Sequence, residues 1–257
     1  MARPESGDDY EKVFTEGYLF HTDEKEVLAG VLRQLLAGRR FASALDVGPG
    51  DGTMAAILAE HADRLTAVEP QAGFARKLRR RIPRVKIAGS LIQDVSFRKA
   101  SFDLILASHM LYYIPLDGWD TLLERLLSWL KPGGLLLVVM SAGDSDWFRS
   151  VSELSRRLGL APNFSYLAPE HFFKVAAGGA DRIIPYDATF DFKGSSKQLE
   201  YFLVELELLA PRRLLSAEQK RLVARYVREK RGARGHFILK NRYLVGVWSA
   251  PTGPSRR

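Results

Sequence analysis

The stretch Ala44-Leu-Asp-Val-Gly-Pro-Gly-Asp-Gly-Thr53 sets Gly48, Gly50 and Gly52 at alternate positions directly after an apolar run. Glycines at such a turn let the backbone bend sharply and let a ligand lie against the main chain. Glu69 ends a second apolar run, Leu65-Thr-Ala-Val-Glu69. A carboxylate at that tip suits the two hydroxyls of a ribose. These residues together predict a nucleoside site where the first two strands finish.

The loop also discriminates among nucleosides. A dinucleotide fingerprint requires G-x-G-x-x-G, and Thr53 stands where its third glycine would fall. Asp46 and Asp51 flank the turn. Two acids repel a diphosphate that the following helix N-terminus would otherwise attract. They suit a ligand with an ammonium and a sulfonium, so S-adenosylmethionine is the expected cofactor. Asp46, Gly48, Gly50, Glu69, Pro70 and Ser108 are its expected contacts, and a tight turn without a ligand is the plain alternative.

Methyl transfer from a sulfonium is an in-line displacement with an electrophile already activated. The protein has mainly to align donor and acceptor and exclude water, which supplies about 7–11 kcal/mol in favourable cases. Tyr112, Tyr113 and Trp147 follow predicted strands four and five, where ligands gather in such sheets. Aromatic faces pack flat acceptors and stabilise cations; ordinary half-buried aromatics are the other reading. His109 follows the strand-four tip and can take the acceptor's proton, since an imidazole titrates near ~6.5. A contribution through its backbone alone is the alternative. Asp23 either pairs with a substrate ammonium or caps the first helix. His21 has no evident partner and reads as a surface residue. No His, Asp and Glu set has metal-ligand spacing, so no metal is expected.

The elements that position these residues alternate along the chain. A helix over 24–37 precedes strands over 44–48, 64–69, 85–88, 102–107 and 135–140, the last after a turn at Lys131-Pro-Gly-Gly134. Helices over 51–61, 71–81 and 118–130 lie between them. This is the pattern of an α/β, doubly wound, mostly parallel sheet. Helices over 145–159, 169–177, 196–209 and 216–230 and strands over 182–192 and 237–249 follow, giving seven strands with an antiparallel edge. One domain over 1–257 is expected, with its core at 22–140 and 182–249. Segments 1–22, 141–180 and 193–235 would form a substrate cover.

Composition narrows the function. The chain has 257 residues, 46% of them hydrophobic, and no cysteine. Disulfides, thiolate metal sites and a cysteine nucleophile are excluded, and with the last goes covalent methylation of pyrimidine C5. The start of the chain lacks the apolar core of a signal peptide, and Leu135–Met140 is far too short to span a bilayer. A cytoplasmic protein without a membrane partner is expected. The net charge of +8 raises the question of a polyanion, but the basic residues are dispersed and Arg79-Arg80-Arg81 has no interleaved aromatics. A small-molecule acceptor is thus expected rather than nucleic acid. A basic RNA- or protein-binding module on the same scaffold is the reading from another class.

Leu45-Asp-Val-Gly-Pro-Gly-Asp-Gly52, Val68-Glu69-Pro70, Phe102-Asp-Leu-Ile-Leu-Ala107 and Leu130-Lys-Pro-Gly-Gly134, in that order, resemble the class I S-adenosylmethionine-dependent methyltransferases. The resemblance covers about residues 40–140. It implies that Gly48 and Gly50 meet the methionine moiety, Glu69 the ribose, and Asp94 or Ser90 the adenine amine. A narrower set, Tyr10-x-x-x-Phe14, Phe20-His-Thr22-Asp23, His109-Met-Leu-Tyr-Tyr-Ile114, Trp147 and Lys240-Asn241, is similar to histamine N-methyltransferase and its relatives. That likeness implies an amine pocket of Tyr10, Phe14, Asp23, His109, Trp147 and Asn241, walled by Tyr112 and Tyr113. Two departures, a shorter acid at Asp23 and an imidazole in place of an amide at His109, turn the expectation away from histamine. A small amine or heteroaromatic nitrogen remains, with O-methylation of a specialised metabolite as the alternative. Ser108-His109-Met110-Leu111 offers nothing to a planar amide's two protons, so methylation of base or glutamine amino groups is disfavoured.

Overall fold

Leu28, Leu32 and Leu36 recur every four residues and form one fully buried stripe on helix α1 (Glu24–Leu36). Burying each such side chain contributes about 1.5–3 kcal/mol. The computed structural model describes residues 11, 13–160, 169–204, 214–232 and 235–252. In it the α1 stripe and helix α2 (Thr53–His61) cover one face of a seven-stranded sheet.

The strands are β1 (Ala44–Val47), β2 (Leu65–Val68), β3 (Lys86–Ala88), β4 (Phe102–Ser108), β5 (Leu130–Ser141), β6 (Arg182–Phe192) and β7 (Phe237–Ser249). Their order is β3-β2-β1-β4-β5-β7-β6. β7 runs antiparallel to both its neighbours, and every other pairing is parallel. β1 is buried along its whole length, as a parallel strand covered on both faces must be. The order reverses between β1 and β4, and the crevice outside their C-terminal ends is where such sheets bind ligands.

Helix α3 (Ala72–Arg81) follows β2 and carries Arg79, Arg80 and Arg81 exposed in its last turn. Helices α4 (Trp119–Trp129) and α6 (Pro169–Val175) pack on the opposite face of the sheet from α1, around Trp119, Phe172, Phe173 and Trp248. Helices α5 (Asp146–Leu158), α7 (Ser196–Phe202) and α8 (Ala217–Lys230) form a third apolar cluster over the far end of the β6–β7 hairpin. Ser195 with Gln198 and Ser216 with Gln219 form reciprocal capping boxes. They satisfy amide donors that would otherwise be orphaned and so mark where α7 and α8 begin.

Two expectations change in detail. Lys131-Pro-Gly-Gly134 is not a turn ahead of the fifth strand but a bulge within β5: Phe102 faces Leu130 while Leu104 already faces Leu135. Gly134 is required there, because a Cβ would come within 2.9 Å of the Lys131 carbonyl and 3.1 Å of the Asp103 carbonyl. The segment 169–177, assigned to the cover, instead builds the core layer with α4. Of the helix expected over 196–209, α7 reaches Phe202, and 205–213 lies outside the described residues. No helix among the described residues is long and apolar enough to cross a membrane.

Candidate active site

Gly48, Gly50 and Gly52 all adopt left-handed backbone angles, with φ of 74°, 55° and 80°. Only glycine takes up such angles without steric cost. A Cβ on Gly50 would have room, with the Phe14 ring 3.9 Å away, whereas one on Gly48 would press on Met110 at 3.3 Å. Gly52 serves packing instead, since a Cβ there would meet Leu78 of α3 at 2.9 Å. Glu69 ties the loop to β2. One carboxylate oxygen accepts from the Gly50 amide at 3.1 Å and the other from the Gln71 amide at 2.8 Å. Pro70 follows it exposed, and Asp51 is held by Lys25 at 3.2 Å and by Thr53.

Asp46 is fully buried, and its Oδ2 has no hydrogen-bond partner. Burial, with the negative charges of Glu69 and Asp51 and against the pull of Lys25, raises its pKa to about 7. Burial likewise raises Glu69 to about 7, despite the two amides that favour its ionised form. An orphaned carboxylate oxygen and a second half-neutralised acid beside a glycine loop fit a cationic nucleoside. At pH 6 both groups hold much of a proton, which a cationic ligand must displace. Affinity for S-adenosylmethionine should therefore rise as pH increases to about 7 and level off above it, by up to about tenfold per pH unit for each group that ionises. Calorimetric titration between pH 5.5 and 8.5 checks this, and Asp46→Asn should flatten the dependence.

His109 begins the turn after β4 with a positive φ of 53°, and its amide donates to the Val139 carbonyl at 3.0 Å. Val47 pairs with Ala107 and Met110 lies against Gly48, so the turn that carries His109 adjoins the glycine loop. Nε2 of His109 lies 3.1 Å from Oε1 of Glu24, which also accepts from the Tyr186 hydroxyl at 2.7 Å. The ring meets Tyr243 edge-on at 5.4 Å and faces Tyr112 at 6.1 Å. Tyr112 is itself fixed, its hydroxyl accepting from the Ser141 amide. Beyond lies a packed cluster of aromatic rings, the candidate acceptor chamber. Tyr18 stacks on Phe14 and Phe190, meets Trp147 edge-on at 5.9 Å, and shares a 3.4 Å hydroxyl contact with Tyr243.

The expected site residues divide accordingly. Asp46, Gly48, Gly50, Glu69, Phe14, His109, Tyr112 and Trp147 surround the loop and chamber. Asn241 is 1% exposed and holds the start of α5, accepting from the Trp147 amide at 2.9 Å. Ser108 is half-buried at the end of β4, while Tyr113, Ser90 and Asp94 are exposed. Arg125 anchors the Asp94 turn through the Gln93 carbonyl at 3.1 Å. Asp23 points away from the chamber. Its carboxylate accepts from the Thr189 amide at 2.6 Å on the outer edge of β6, and Thr22 bonds the first free amide of α1 instead. His21 is not a bare surface residue, because its ring packs 4.2 Å from Phe192. Tyr10 lies outside the described residues.

Sequence reasoning missed Glu24, Tyr18, Tyr186, Tyr243 and Lys25. The tyrosines carried one usable signal: Tyr186 and Tyr243 sit at inward positions of strands, directly opposite each other in the β6–β7 register. Glu24 carried none, because an acid in the first turn of a helix reads as dipole compensation.

Comparison with known proteins follows the same lines. Residues 19–177 match the family described as Methyltransferase domain. Trans-aconitate 2-methyltransferase of Deinococcus radiodurans is 30% identical over 123 residues, 47% of this chain and 46% of the relative. Malonyl-[acyl-carrier protein] O-methyltransferase of Enterobacter lignolyticus is 27% identical over 128 residues, 50% of each chain. The chain thus spans about half the length of the curated relatives it matches. Among solved structures, a Bacillus halodurans protein described as a methyltransferase superposes with a TM-score of 0.62 at 14% identity, covering 87% of this chain and 99% of its own. The YcgJ protein of Bacillus subtilis gives 0.58 at 12%, covering 88% and 98%. At such identities these structures show a shared fold.

Proposed function

The chain belongs to the methyltransferase-domain family, and from that premise we propose that it transfers a methyl group from S-adenosylmethionine to a small acceptor at an amine or heteroaromatic nitrogen. The observation that carries this reading is the placement of His109. It lies on the turn after β4, which adjoins the turn after β1, and its side chain is flanked by aromatic rings and 23% exposed. Bound on Gly48, Gly50 and Glu69, the cofactor supplies a methyl group already activated on a sulfonium. The chain's own residues do the rest. Tyr18, Trp147 and Phe14 exclude water and align a flat acceptor, and His109 takes the proton that the acceptor loses.

The position of Asp23 refines the acceptor. With Asp23 on the outer edge of β6 and Glu24 sealed from solvent, neither of these two acids offers an open carboxylate to an aliphatic ammonium. A neutral heteroaromatic nitrogen suits the site better. The likeness of Phe14, Trp147 and the His109–Ile114 segment to histamine N-methyltransferase supports a nitrogen acceptor, although His109 itself is a departure. The second reading is O-methylation. The Enterobacter relative is named as an O-methyltransferase, and a histidine backed by a carboxylate can also strip a hydroxyl.

The test is incubation of the protein with deuteromethyl-labelled cofactor and a small-molecule extract, read by mass spectrometry. A labelled product is expected, with the label on nitrogen and resistant to alkaline hydrolysis. A labelled methyl ester or ether would establish the second reading. No labelled product from any extract, together with no heat of cofactor binding, would overturn both.

A further inference from the structure

Glu24 has no solvent-accessible side-chain surface, whereas the His109 side chain it bonds to is 23% exposed. An acceptor in the chamber therefore cannot touch the carboxylate, and whatever Glu24 does to the reaction passes through the imidazole. The carboxylate is also held from behind. Its Oε1 accepts from Tyr186 at 2.7 Å as well as lying 3.1 Å from Nε2 of His109. Tyr186 is itself buried and stacked on Tyr243 at 5.1 Å, and Tyr243 meets the His109 ring edge-on. The turn that carries His109 is held by the hydrogen bond from the His109 amide to the Val139 carbonyl and has a left-handed φ. Backbone held in such a region persists only when its surroundings over-determine it.

We propose that Glu24 and Tyr186 are positioning residues for His109, setting a carboxylate–imidazole relay that presents Nδ1 to the methyl acceptor. The inference rests on the reading of His109 as proton acceptor and names what makes it one. With Nε2–H donated to Glu24, the neutral ring carries its lone pair on Nδ1, the nitrogen left for the chamber. A partner on one ring nitrogen fixes the tautomer and so the role of the other. In the transfer step the acceptor's N–H bond breaks, its electron pair stays on nitrogen for the new bond to carbon, and the proton ends on Nδ1. The pair of the broken carbon–sulfur bond stays with sulfur. The imidazolium so formed faces the Glu24 carboxylate.

The surroundings keep that carboxylate ionised. Burial alone would raise its pKa, but His109, Lys25 and the Tyr186 hydroxyl outweigh burial and lower it overall. The other titratable groups packed against the pair are the tyrosines: Tyr112 beside the ring, and Tyr243 with Tyr18 behind it. Tyr18 and Tyr186 are raised well above the ordinary tyrosine value, chiefly by burial, and so remain neutral hydroxyls. Glu24 is the one carboxylate bonded to His109 among the described residues.

The test reads the imidazole directly, in the protein without cofactor. Proton–nitrogen NMR resolves the five histidines, and His109→Gln identifies the signal. The wild-type ring should carry its neutral-state proton on Nε2. Glu24→Gln should release the fixed tautomer, because an amide can turn a donor or an acceptor toward the ring and so no longer selects which nitrogen is protonated. Tyr186→Phe keeps the stack on Tyr243 but frees the carboxylate, and should loosen the tautomer preference to a smaller degree. In turnover, both variants should lower kcat with little change in KM. Should Glu24→Gln fail to fold, Tyr186→Phe carries the test alone. An unchanged tautomer in the folded variants would overturn the relay. A released tautomer in a protein that turns over no acceptor would leave the relay standing as a structural fact and overturn the catalytic reading of His109 instead.

Discussion

Glu69→Ala should weaken S-adenosylmethionine binding by about tenfold to a hundredfold. The carboxylate does two things at once. It holds the Gly50 amide at 3.1 Å and the Gln71 amide at 2.8 Å, and its remaining lone pairs are those available to a ribose diol at the tip of β2. Hydrogen bonds to a charged group contribute about 1.5–3 kcal/mol each, so losing the ligand's share alone accounts for the lower figure. Release of the loop at Gly50 adds to it. Calorimetry checks the size of the effect, and Glu69→Gln separates its causes. Glutamine keeps an acceptor for one amide but removes the charge, so it should fall between wild type and Glu69→Ala. Wild-type affinity in the alanine variant would remove Glu69 from the cofactor site.

Phe190→Ala should lower the stability of the fold by about 3–5 kcal/mol, the range for deleting a large buried aromatic. Phe190 is fully buried. It stacks on Phe202 at 5.2 Å, on Tyr18 at 6.1 Å and on Phe192 at 6.2 Å, and meets Trp147 edge-on at 5.4 Å. It joins the β6–β7 hairpin, α5, α7 and the segment that carries Tyr18, so the cavity left behind has walls on four elements and little freedom to collapse. Urea unfolding followed by circular dichroism measures the loss, and Phe190→Leu should recover much of it. Cofactor affinity in the folded fraction should fall as well, because Phe190 stacks on Tyr18, Tyr18 on Phe14, and Phe14 covers Gly50 of the glycine loop. A loss below about 1 kcal/mol would mean that the chamber wall reorganises freely, a tolerance not expected of a close-packed interior.

The glycine loop and the acid of the candidate cofactor end were legible before the fold, because their signals are local. Left-handed turns call for glycine within a span of five residues, and strand alternation sets Glu69 at the mouth of the sheet without reference to anything distant. The acceptor end was only half legible. Trp147 and Tyr112 came from their positions after β5 and β4, yet Asn241 turns out to fix α5 rather than to stand open in the chamber. Its role depends on α5 folding back over β7.

Asp23 and Glu24 mark the boundary most clearly. They are neighbours of the same charge at a helix start, and no local rule distinguishes them. Asp23 is the non-helical residue ahead of α1 and Glu24 the first within it, and β6, more than 150 residues later in the chain, bonds to both. Its Thr189 amide takes Asp23 outward, and its Tyr186 hydroxyl takes Glu24 inward to His109. The amino-acid sequence alone determined the α/β order, the glycine loop and the acid at β2, because short-range backbone geometry and periodicity encode them. Tertiary structure decided which carboxylate backs the imidazole, because that choice is made by a hydrogen-bond donor arriving from the far end of the chain.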